Sequence, residues 1–163
     1  MLVPLEHPLG QVEGAFNAVF IEGDLVGQVF LRGQGAGGKP TASAVLGDLI
    51  DLARSIHREV QTRASLAFDH QLRVKPMDEV QARAYIRCTV LDRPGVLGAI
   101  FRDFGDEQVS IASAIQKEVF EGEEAAEFVV VTHPAPDAAL QRTRQRIERL
   151  HSVRAVSAFL RVL

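Results

Sequence analysis

Hydrophobic residues recur with changing periods along the chain, and the first half predicts a β-hairpin followed by a helix. Two apolar, β-rich runs at residues 15–21 and 25–31 flank Gly23 and Asp24, which suit a two-residue hairpin turn. A glycine-rich stretch follows, and apolar residues at helical spacing over residues 41–57 predict an amphipathic helix. Beyond this helix the pattern fades for about two dozen residues, so we expect a connector there with one short strand.

In the second half of the chain, strand-like and helix-like hydrophobic periods follow one another in the order of a βαββαβ module. Alternation of apolar and polar residues marks strands, and apolar residues three or four positions apart mark helices. The predicted elements are strands at residues 84–90, 109–120, 125–133 and 156–162, with helices at residues 94–105 and 140–150. This order favours an antiparallel four-stranded sheet with both helices on one face, the ferredoxin-like arrangement of the α+β class.

Composition fits an ordinary globular chain and argues against several classes of protein. Of 163 residues, 47% are hydrophobic and 24% are charged, and no apolar run reaches the roughly 18 residues that span a bilayer. We therefore expect no membrane segment and, without a visible secretory signal, a cytoplasmic location. The formal net charge of −3 gives no general attraction to nucleic acid or to anionic lipid. We expect the basic cluster to be the solvated face of a helix; its members are Arg142, Arg144, Arg146 and Arg149.

The titratable residues form no recognisable catalytic or metal-binding set. The single cysteine, Cys88, excludes an intrachain disulfide and a cysteine-rich metal site, and its place in an alternating strand predicts a core residue. The five histidines are scattered without the spacing of metal ligands. Ser110 and Ser113 have no apparent histidine and acid partners for a triad. We therefore predict no catalytic residue and no metal site in this chain.

The candidate binding loop is residues 91–97, which contain the turn at residues 92–96 from the first strand of the module into its first helix. The first backbone N–H groups of a helix lack intrahelical partners, and the helix dipole adds positive potential that attracts carboxylates and phosphates. Gly95 lets a ligand approach the main chain, Pro94 constrains the local path, and Asp92 either caps the helix or accepts a ligand ammonium group. The alternative is that Asp-Arg-Pro-Gly is simply a turn before a helix.

Gly33, Gly35 and Gly38 fit the G-x-G-x-x-G pattern between a predicted strand and a helix, but we do not interpret them as a dinucleotide fingerprint. A nucleotide-binding βαβ unit needs a second buried parallel strand after the helix, whereas the residues after His57 are polar and irregular. The same glycines would still bring the backbone close to a cofactor whose main site lies elsewhere.

Three segments of the second half resemble an ACT domain: residues 91–97 (LDRPGVL), 109–117 (VSIASAIQK) and 129–134 (VVVTHP). ACT domains bind amino acids and related effectors at the interface between paired modules. The resemblance implies a homodimer or higher homo-oligomer, in which the loop of one copy meets the start of the second strand of a neighbouring copy. The implied effector-binding residues are Asp92, Arg93, Pro94, Gly95, Val96 and Leu97 from the loop, and Ser110, Ile111 and Ser113 from that strand.

Segments of the first half resemble the end of the catalytic region of homoserine dehydrogenases, a family in which an ACT domain often follows directly. They are residues 7–9 (HPL), 14–19 (GAFNAV), 33–37 (GQGAG) and 40–45 (PTASAV). Gln34 departs from the family pattern, in which proline is common at this position. The combined resemblance covers nearly all of the chain, in order, with two independent groups of motifs.

This resemblance implies a division into residues 1–60 from the catalytic and dimerisation region, a connector at 61–81, and an ACT regulatory domain at 82–163. Homoserine dehydrogenases interconvert aspartate semialdehyde and homoserine with NAD(P) in threonine and methionine biosynthesis, and threonine is a common allosteric feedback inhibitor. The implied cofactor-binding positions, near the nicotinamide end, are Gly33, Gly35 and Gly37. We find no match here for the family's nucleotide-binding domain and catalytic lysines, so we expect that this chain alone binds no NAD(P) and transfers no hydride.

Two alternatives remain open at this point. A free-standing ACT-type amino-acid sensor without enzymatic activity would keep the hairpin, the glycine loop and the first helix only as a dimerisation platform. A ferredoxin-like RNA-binding module would need exposed aromatic residues on its central strands and a basic sheet. Tyr85 and Phe128 are nearly the only candidates for those aromatic positions.

Overall fold

The computed structural model describes residues 1–57, 73–117 and 124–163, and the chain divides into two compact units. The first unit is Val3–Arg73, and the second combines Met1–Leu2 with Val74–Leu163. The short strand expected in the connector falls largely on residues outside the described ranges, and the described end of the connector contains only a 3₁₀ turn at Met77–Glu79. Within the described ranges, no helix is long and apolar enough to cross a membrane.

The first unit contains the predicted hairpin. Strand β1 (Phe16–Gly23) pairs with β2 (Gly27–Gln34) in antiparallel register, with Gly23 opposite Gly27. The predicted two-residue turn is wrong, because the three residues 24–26 connect the strands. Gly27, the residue directly after this loop, has φ +69°, a left-handed conformation that glycine adopts without steric cost.

Helix α1 (Gly38–His57) follows the glycine stretch and begins a little before the predicted start at residue 41. None of its residues is buried. The exposed apolar side chains of α1 are Val45, Leu46, Leu49, Ile50, Leu52 and Ile56. The hairpin likewise exposes Val19 and Leu31 on one face and Phe30 on the other. The described part of the first unit therefore has no hydrophobic core of its own.

The second unit is the predicted βαββαβ module, with one additional short strand. Its elements are β3 (Gln81–Leu91), α2 (Val96–Asp106), β4 (Ile111–Lys117), β5 (Ala125–Thr132), the two-residue β6 (Ala135–Pro136), α3 (Asp137–Glu148) and β7 (Val153–Val162). The main sheet has the order β4-β5-β3-β7 with antiparallel neighbours, and β6 pairs with the first residues of β3. The α+β class and the ferredoxin-like arrangement are confirmed.

One face of this sheet and both helices form the core. Alternate residues of β3 are fully buried, from Ala84 to Val90, and they pack against Phe104 of α2 and Leu140 of α3. Cys88 lies among them as predicted, and burial raises the pKa of its thiol to about 11. The opposite face of the sheet carries the other half of each alternating strand and is partly exposed. The periodicity of two therefore reports one covered face of the sheet.

Leu2 adds a strand contact at the edge of β7 that the hydrophobic period did not predict. Its N–H donates to the Arg161 carbonyl at 2.7 Å, and the N–H of Leu163 donates to the Leu2 carbonyl at 3.0 Å. Arg161 also donates two hydrogen bonds from its side chain to Asp137, Nε to Oδ1 at 2.7 Å and Nη2 to Oδ2 at 2.8 Å. The N-terminus of the chain is thus joined to the last strand of the second unit.

The arginine cluster on α3 is not simply a solvated face. Arg146 donates to Asp103 of α2, Nε to Oδ1 at 3.0 Å, and also pairs with Asp106 and Glu107. Arg142 donates to Glu107 at 2.7 Å, which lowers the pKa of that carboxyl. Because Asp103 is almost completely buried, these contacts join the two helices as well as facing solvent. The side chains of Arg142 and Arg146 are still 57% and 40% exposed, so the predicted solvated face is present, and its ion pairs with α2 are the part that the sequence did not predict.

Candidate functional site

The loop between β3 and α2 encloses a cavity of about 370 Å³. It is open on one side and lies in the second unit, where the strand ends and the helix begins. Its lining residues are Leu91, Asp92, Arg93, Pro94, Gly95, Val96, Leu97, Gly98 and Gln116. The loop residues that the sequence nominated as effector-binding, 92–97, are thus brought together around one cavity.

Backbone N–H groups at the start of α2 form one polar side of this cavity. Gly95 is the N-cap residue and has φ +89°, and the N–H of Ala99 donates to its carbonyl at 3.1 Å as the first helical hydrogen bond. Between them, the N–H groups of Leu97 and Gly98 have no acceptor among the described residues. The positive end of the helix dipole lies at the same place. This side of the cavity suits a carboxylate.

Asp92 does not cap the helix, so that part of the sequence expectation is wrong. Within residues 1–57, 73–117 and 124–163, no side chain hydrogen-bonds to the N-terminus of α2. Instead, Asp92 Oδ1 accepts a hydrogen bond from Gln116 Nε2 at 3.0 Å, and Oδ2 has no partner in the described part of the chain. Gln116 therefore orients the carboxylate and leaves one oxygen for a ligand donor.

Gln116 was missed by the sequence analysis because its role depends on strand register. It lies opposite Phe128 on β5, whose side chain is buried on the helix-covered face, so Gln116 points to the same side of the sheet as α2. The pairing between β4 and β5 also shifts by one residue between Ile111 and Ser113. No local pattern in the sequence reveals that shift.

The three residues nominated on the second strand of the module do not join the cavity within one chain. Ser110, Ile111 and Ser113 are absent from its lining. Ser113 lies opposite Val131, on the sheet face that the helices leave uncovered. The resemblance implies that these residues contact the loop of a neighbouring copy, and the structure contains one copy. Their role as effector contacts therefore stays a prediction.

Glu124, which does not line the cavity, forms hydrogen bonds with two residues of the loop. Glu124 accepts an ion-pair hydrogen bond from Arg93, and its backbone carbonyl accepts one from the Asp92 N–H at 3.3 Å. The bond from Arg93 lowers the pKa of the Glu124 carboxyl, and the charge of Arg154 acts in the same direction. The only cation in the described lining of the cavity is therefore already paired with an acid.

The glycine loop of the first unit brings backbone and side chain unusually close together. A Cβ placed on Gly35 would lie 2.0 Å from Nδ2 of Asn17, and the Gly35 N–H donates to the Ala15 carbonyl at 2.9 Å. Gly37 has φ +126°, and its carbonyl accepts from the Thr41 N–H at 3.1 Å in the first turn of α1. Only glycine fits these two positions without rearrangement.

A complete dinucleotide site is not present in the described residues. Strand β2, which precedes the glycine loop, pairs only with β1 and does so antiparallel, whereas a nucleotide-binding βαβ unit needs parallel strands. The described ranges also contain no group of three or more metal-ligating side chains. Phe128, one of the two aromatic residues needed for the RNA-binding alternative, is 1% exposed and belongs to the core. That alternative is therefore wrong.

Comparison with known proteins assigns both halves of the chain. The family model of homoserine dehydrogenase matches residues 1–50, and that of the ACT domain matches residues 84–151. The homoserine dehydrogenases of Mycobacterium bovis and Mycobacterium leprae are 46% and 41% identical to the chain over 165 residues. Each of these alignments covers 99% of the chain and 37% of the relative.

A crystal structure of a homoserine dehydrogenase from Thiobacillus denitrificans is 31% identical to the chain and superposes with a TM-score of 0.75. This match covers 99% of the chain and 37% of that protein. The chain thus spans little more than a third of the length of the relatives that it matches. The two matched regions, taken in order, show that it belongs to the homoserine dehydrogenase family and corresponds to its C-terminal portion, the end of the catalytic region followed by an ACT domain.

Proposed function

We propose that this chain is the regulatory part of an NAD(P)-dependent homoserine dehydrogenase and that its ACT domain binds threonine. The complete enzyme would be an oxidoreductase that interconverts aspartate semialdehyde and homoserine. One observation carries the effector proposal: the cavity at the β3–α2 loop presents an acceptor for an ammonium group and donors for a carboxylate. Those are the two charged groups that every free α-amino acid has.

Each end of the amino acid has its own partner in this arrangement. The free N–H groups of Leu97 and Gly98 would receive the carboxylate, with support from the helix dipole. Oδ2 of Asp92, which has no partner among the described residues, would accept the ammonium group in a charge-assisted hydrogen bond. The apolar side chains of Leu91 and Val96 would face a short side chain with a methyl group. Threonine fits this description in size and polarity.

A second copy of the chain would complete the site. Strand β4 lies at one edge of the sheet, so its outer backbone groups are open to another strand in the described part of the unit. Pairing through the ACT domain would allow Ser110, Ile111 and Ser113 of β4 and its preceding residue to approach the loop of a neighbouring copy. We propose a homodimer or a higher homo-oligomer on this basis. We also propose that the protein is located in the cytoplasm.

The first unit would contribute to the catalytic half of the enzyme rather than perform the reaction. We propose that the backbone at Gly33, Gly35 and Gly37 borders the nicotinamide end of NAD(P) in the complete enzyme. The close approach of Asn17 to Gly35 supports a rigid loop at this place. The nucleotide-binding domain and the proton-transferring lysines would come from sequence that this chain does not contain, so the chain alone would oxidise no homoserine.

Isothermal titration of the 163-residue chain with L-threonine tests the effector assignment. We expect saturable binding and a rise in melting temperature, because a ligand that binds only the folded state stabilises it by about 2.7 kcal/mol at one hundred times its Kd. Asp92→Asn should weaken binding at least tenfold through loss of the ammonium partner. Asp78→Asn, on the exposed 3₁₀ turn away from the cavity, is the matched control.

Two results would reject parts of this proposal. The absence of both a calorimetric signal and a thermal shift with threonine would remove the effector assignment. NAD(P)-dependent oxidation of homoserine by the purified chain would instead show that the chain itself includes catalytic groups, and the division between a regulatory and a catalytic part would then be wrong.

A further inference from the structure

The cavity at the β3–α2 loop has an uneven charge balance that the proposed amino-acid ligand must satisfy. Among the described residues that line it, Arg93 is the only cation and Asp92 is the only anion. Glu124 is outside the lining, yet it accepts the hydrogen bond from Arg93. These three side chains together carry a net charge of −1. Glu124 also feels the positive charge of Arg154, which offsets part of this negative charge.

Glu124 is tied to the loop through both its main chain and its side chain. Its carbonyl accepts from the Asp92 N–H at 3.3 Å, while its carboxylate takes the guanidinium of Arg93. Residues next to each other in the loop are thus held by the same partner, which lies directly before β5. This double contact keeps Arg93 directed towards residue 124 instead of leaving it available to a ligand.

We infer that Glu124 is a specificity-determining residue, which makes the effector site select amino acids with uncharged side chains and reject those with acidic side chains. This inference rests on the proposed amino-acid function of the cavity. An acidic ligand has a second carboxylate that needs a cation near the rim, and Glu124 already occupies Arg93. The same carboxylate would also meet the negative charges of Asp92 and Glu124. A neutral zwitterion meets neither difficulty.

The size of the effect follows from the exposure of the pair. The Arg93 and Glu124 side chains are 60% and 71% exposed, so water and salt screen their charges. We therefore expect a change in selectivity of about threefold to tenfold and not the loss of binding that removal of a buried ion pair would cause. The change should also shrink at high ionic strength.

The test compares two ligands of similar size, L-threonine and L-aspartate, by calorimetric titration of the complete chain. In the wild type, aspartate should bind at least tenfold more weakly than threonine. Glu124→Gln frees Arg93. At low salt it should therefore strengthen the binding of aspartate relative to that of threonine by about threefold to tenfold. Glu127→Gln is the matched control, because Glu127 is a partly exposed ion-pairing acid of β5 whose partners are Lys117 and Arg87, away from the cavity.

A double variant shows whether the effect passes through Arg93 or through the nearby charge of Arg154. Replacing both Arg93 and Glu124 with glutamine should return the ratio of the two dissociation constants to within about twofold of the wild type. If the double variant still binds aspartate better, relative to threonine, than the wild type does, the inference is overturned. So would an unchanged ratio in Glu124→Gln, or a change of equal size in Glu127→Gln.

The outcomes also separate this inference from the proposed function. If threonine binds to the wild type and the ratio does not respond to Glu124→Gln, the site is an amino-acid site but Glu124 does not set its charge preference. If aspartate binds to the wild type as tightly as threonine, the selectivity itself is absent and the inference fails. If neither amino acid binds to any variant, the proposed effector function fails and the inference falls with it.

Discussion

The two units of this chain use similar hydrophobic patterns and bury them very differently. In the second unit, the apolar stripe of α2 meets the sheet, and Phe104 is 1% exposed. In the first unit, α1 also has apolar residues at helical spacing, yet Leu49 is 55% exposed and no residue of that helix is buried. A hydrophobic period therefore says which face of an element needs cover. It does not say whether the described chain supplies that cover.

Removing one large apolar side chain from each unit should give the largest difference between the units. Phe104→Ala creates a cavity in the core and should reduce the free energy of unfolding by about 3–5 kcal/mol. Leu49→Ala, at an exposed position of α1, should change it by less than about 0.5 kcal/mol. Urea denaturation followed by circular dichroism measures both values. A large loss in the Leu49 variant would mean that α1 is covered in solution.

The ion pair between the buried Asp137 and the partly exposed Arg161 should show the next largest effect. Asp137 is 2% exposed and accepts two hydrogen bonds from Arg161, so Asp137→Asn should cost about 2–4 kcal/mol of stability at neutral pH. Asp51→Asn is the matched control in the first unit, because the Asp51 pair with Arg54 is exposed at 3.7 Å. We expect a change of less than about 0.5 kcal/mol there.

The same pair gives a pH dependence with a definite sign. The hydrogen bonds from Arg161 hold the pKa of the Asp137 carboxyl below its ordinary value of 3.8. The stabilisation is therefore fully present above the pKa of the unfolded chain and is lost as the pH falls through the lower folded value. The difference between the wild type and Asp137→Asn should be constant from pH 7 to about pH 5 and decrease below about pH 4. A difference that grew with acidification would contradict this assignment.

The loop at the cavity should give the smallest change in stability. Gly95 has φ +89° with open space around its missing Cβ, so Gly95→Ala costs only backbone strain, about 1–2 kcal/mol. Gly98→Ala is the control, since Gly98 lies inside α2, also in open space, and alanine is the better helix former by about 1 kcal/mol. In thermal unfolding, Gly95→Ala should lower the melting temperature and Gly98→Ala should raise it. Equal shifts would mean that the left-handed conformation of Gly95 is not maintained in solution.

Much of the second unit was predictable because its strands and helices alternate with clear periods. The order of elements, the burial of Cys88 and the position of the loop all followed from residues close together in the sequence. Four details did not follow: the strand contact of Leu2, the short strand β6, the ion pairs between α2 and α3, and the contact of Gln116 with Asp92. Each of them joins residues far apart along the chain, and their pairing depends on register or on helix packing.

The loop at residues 91–97 shows what local sequence determines and what only the tertiary structure determines. Local sequence was sufficient for a turn of Asp, Arg, Pro and Gly that ends a strand and starts a helix, since proline fixes φ and glycine permits the left-handed conformation wherever they occur. Only the tertiary structure decided what the side chains do. It directed Asp92 towards Gln116 instead of the helix N-terminus, and it paired Arg93 with Glu124. These choices depend on which strands are adjacent and in which register, because a hydrogen bond forms only between groups that the whole fold brings within about 3 Å.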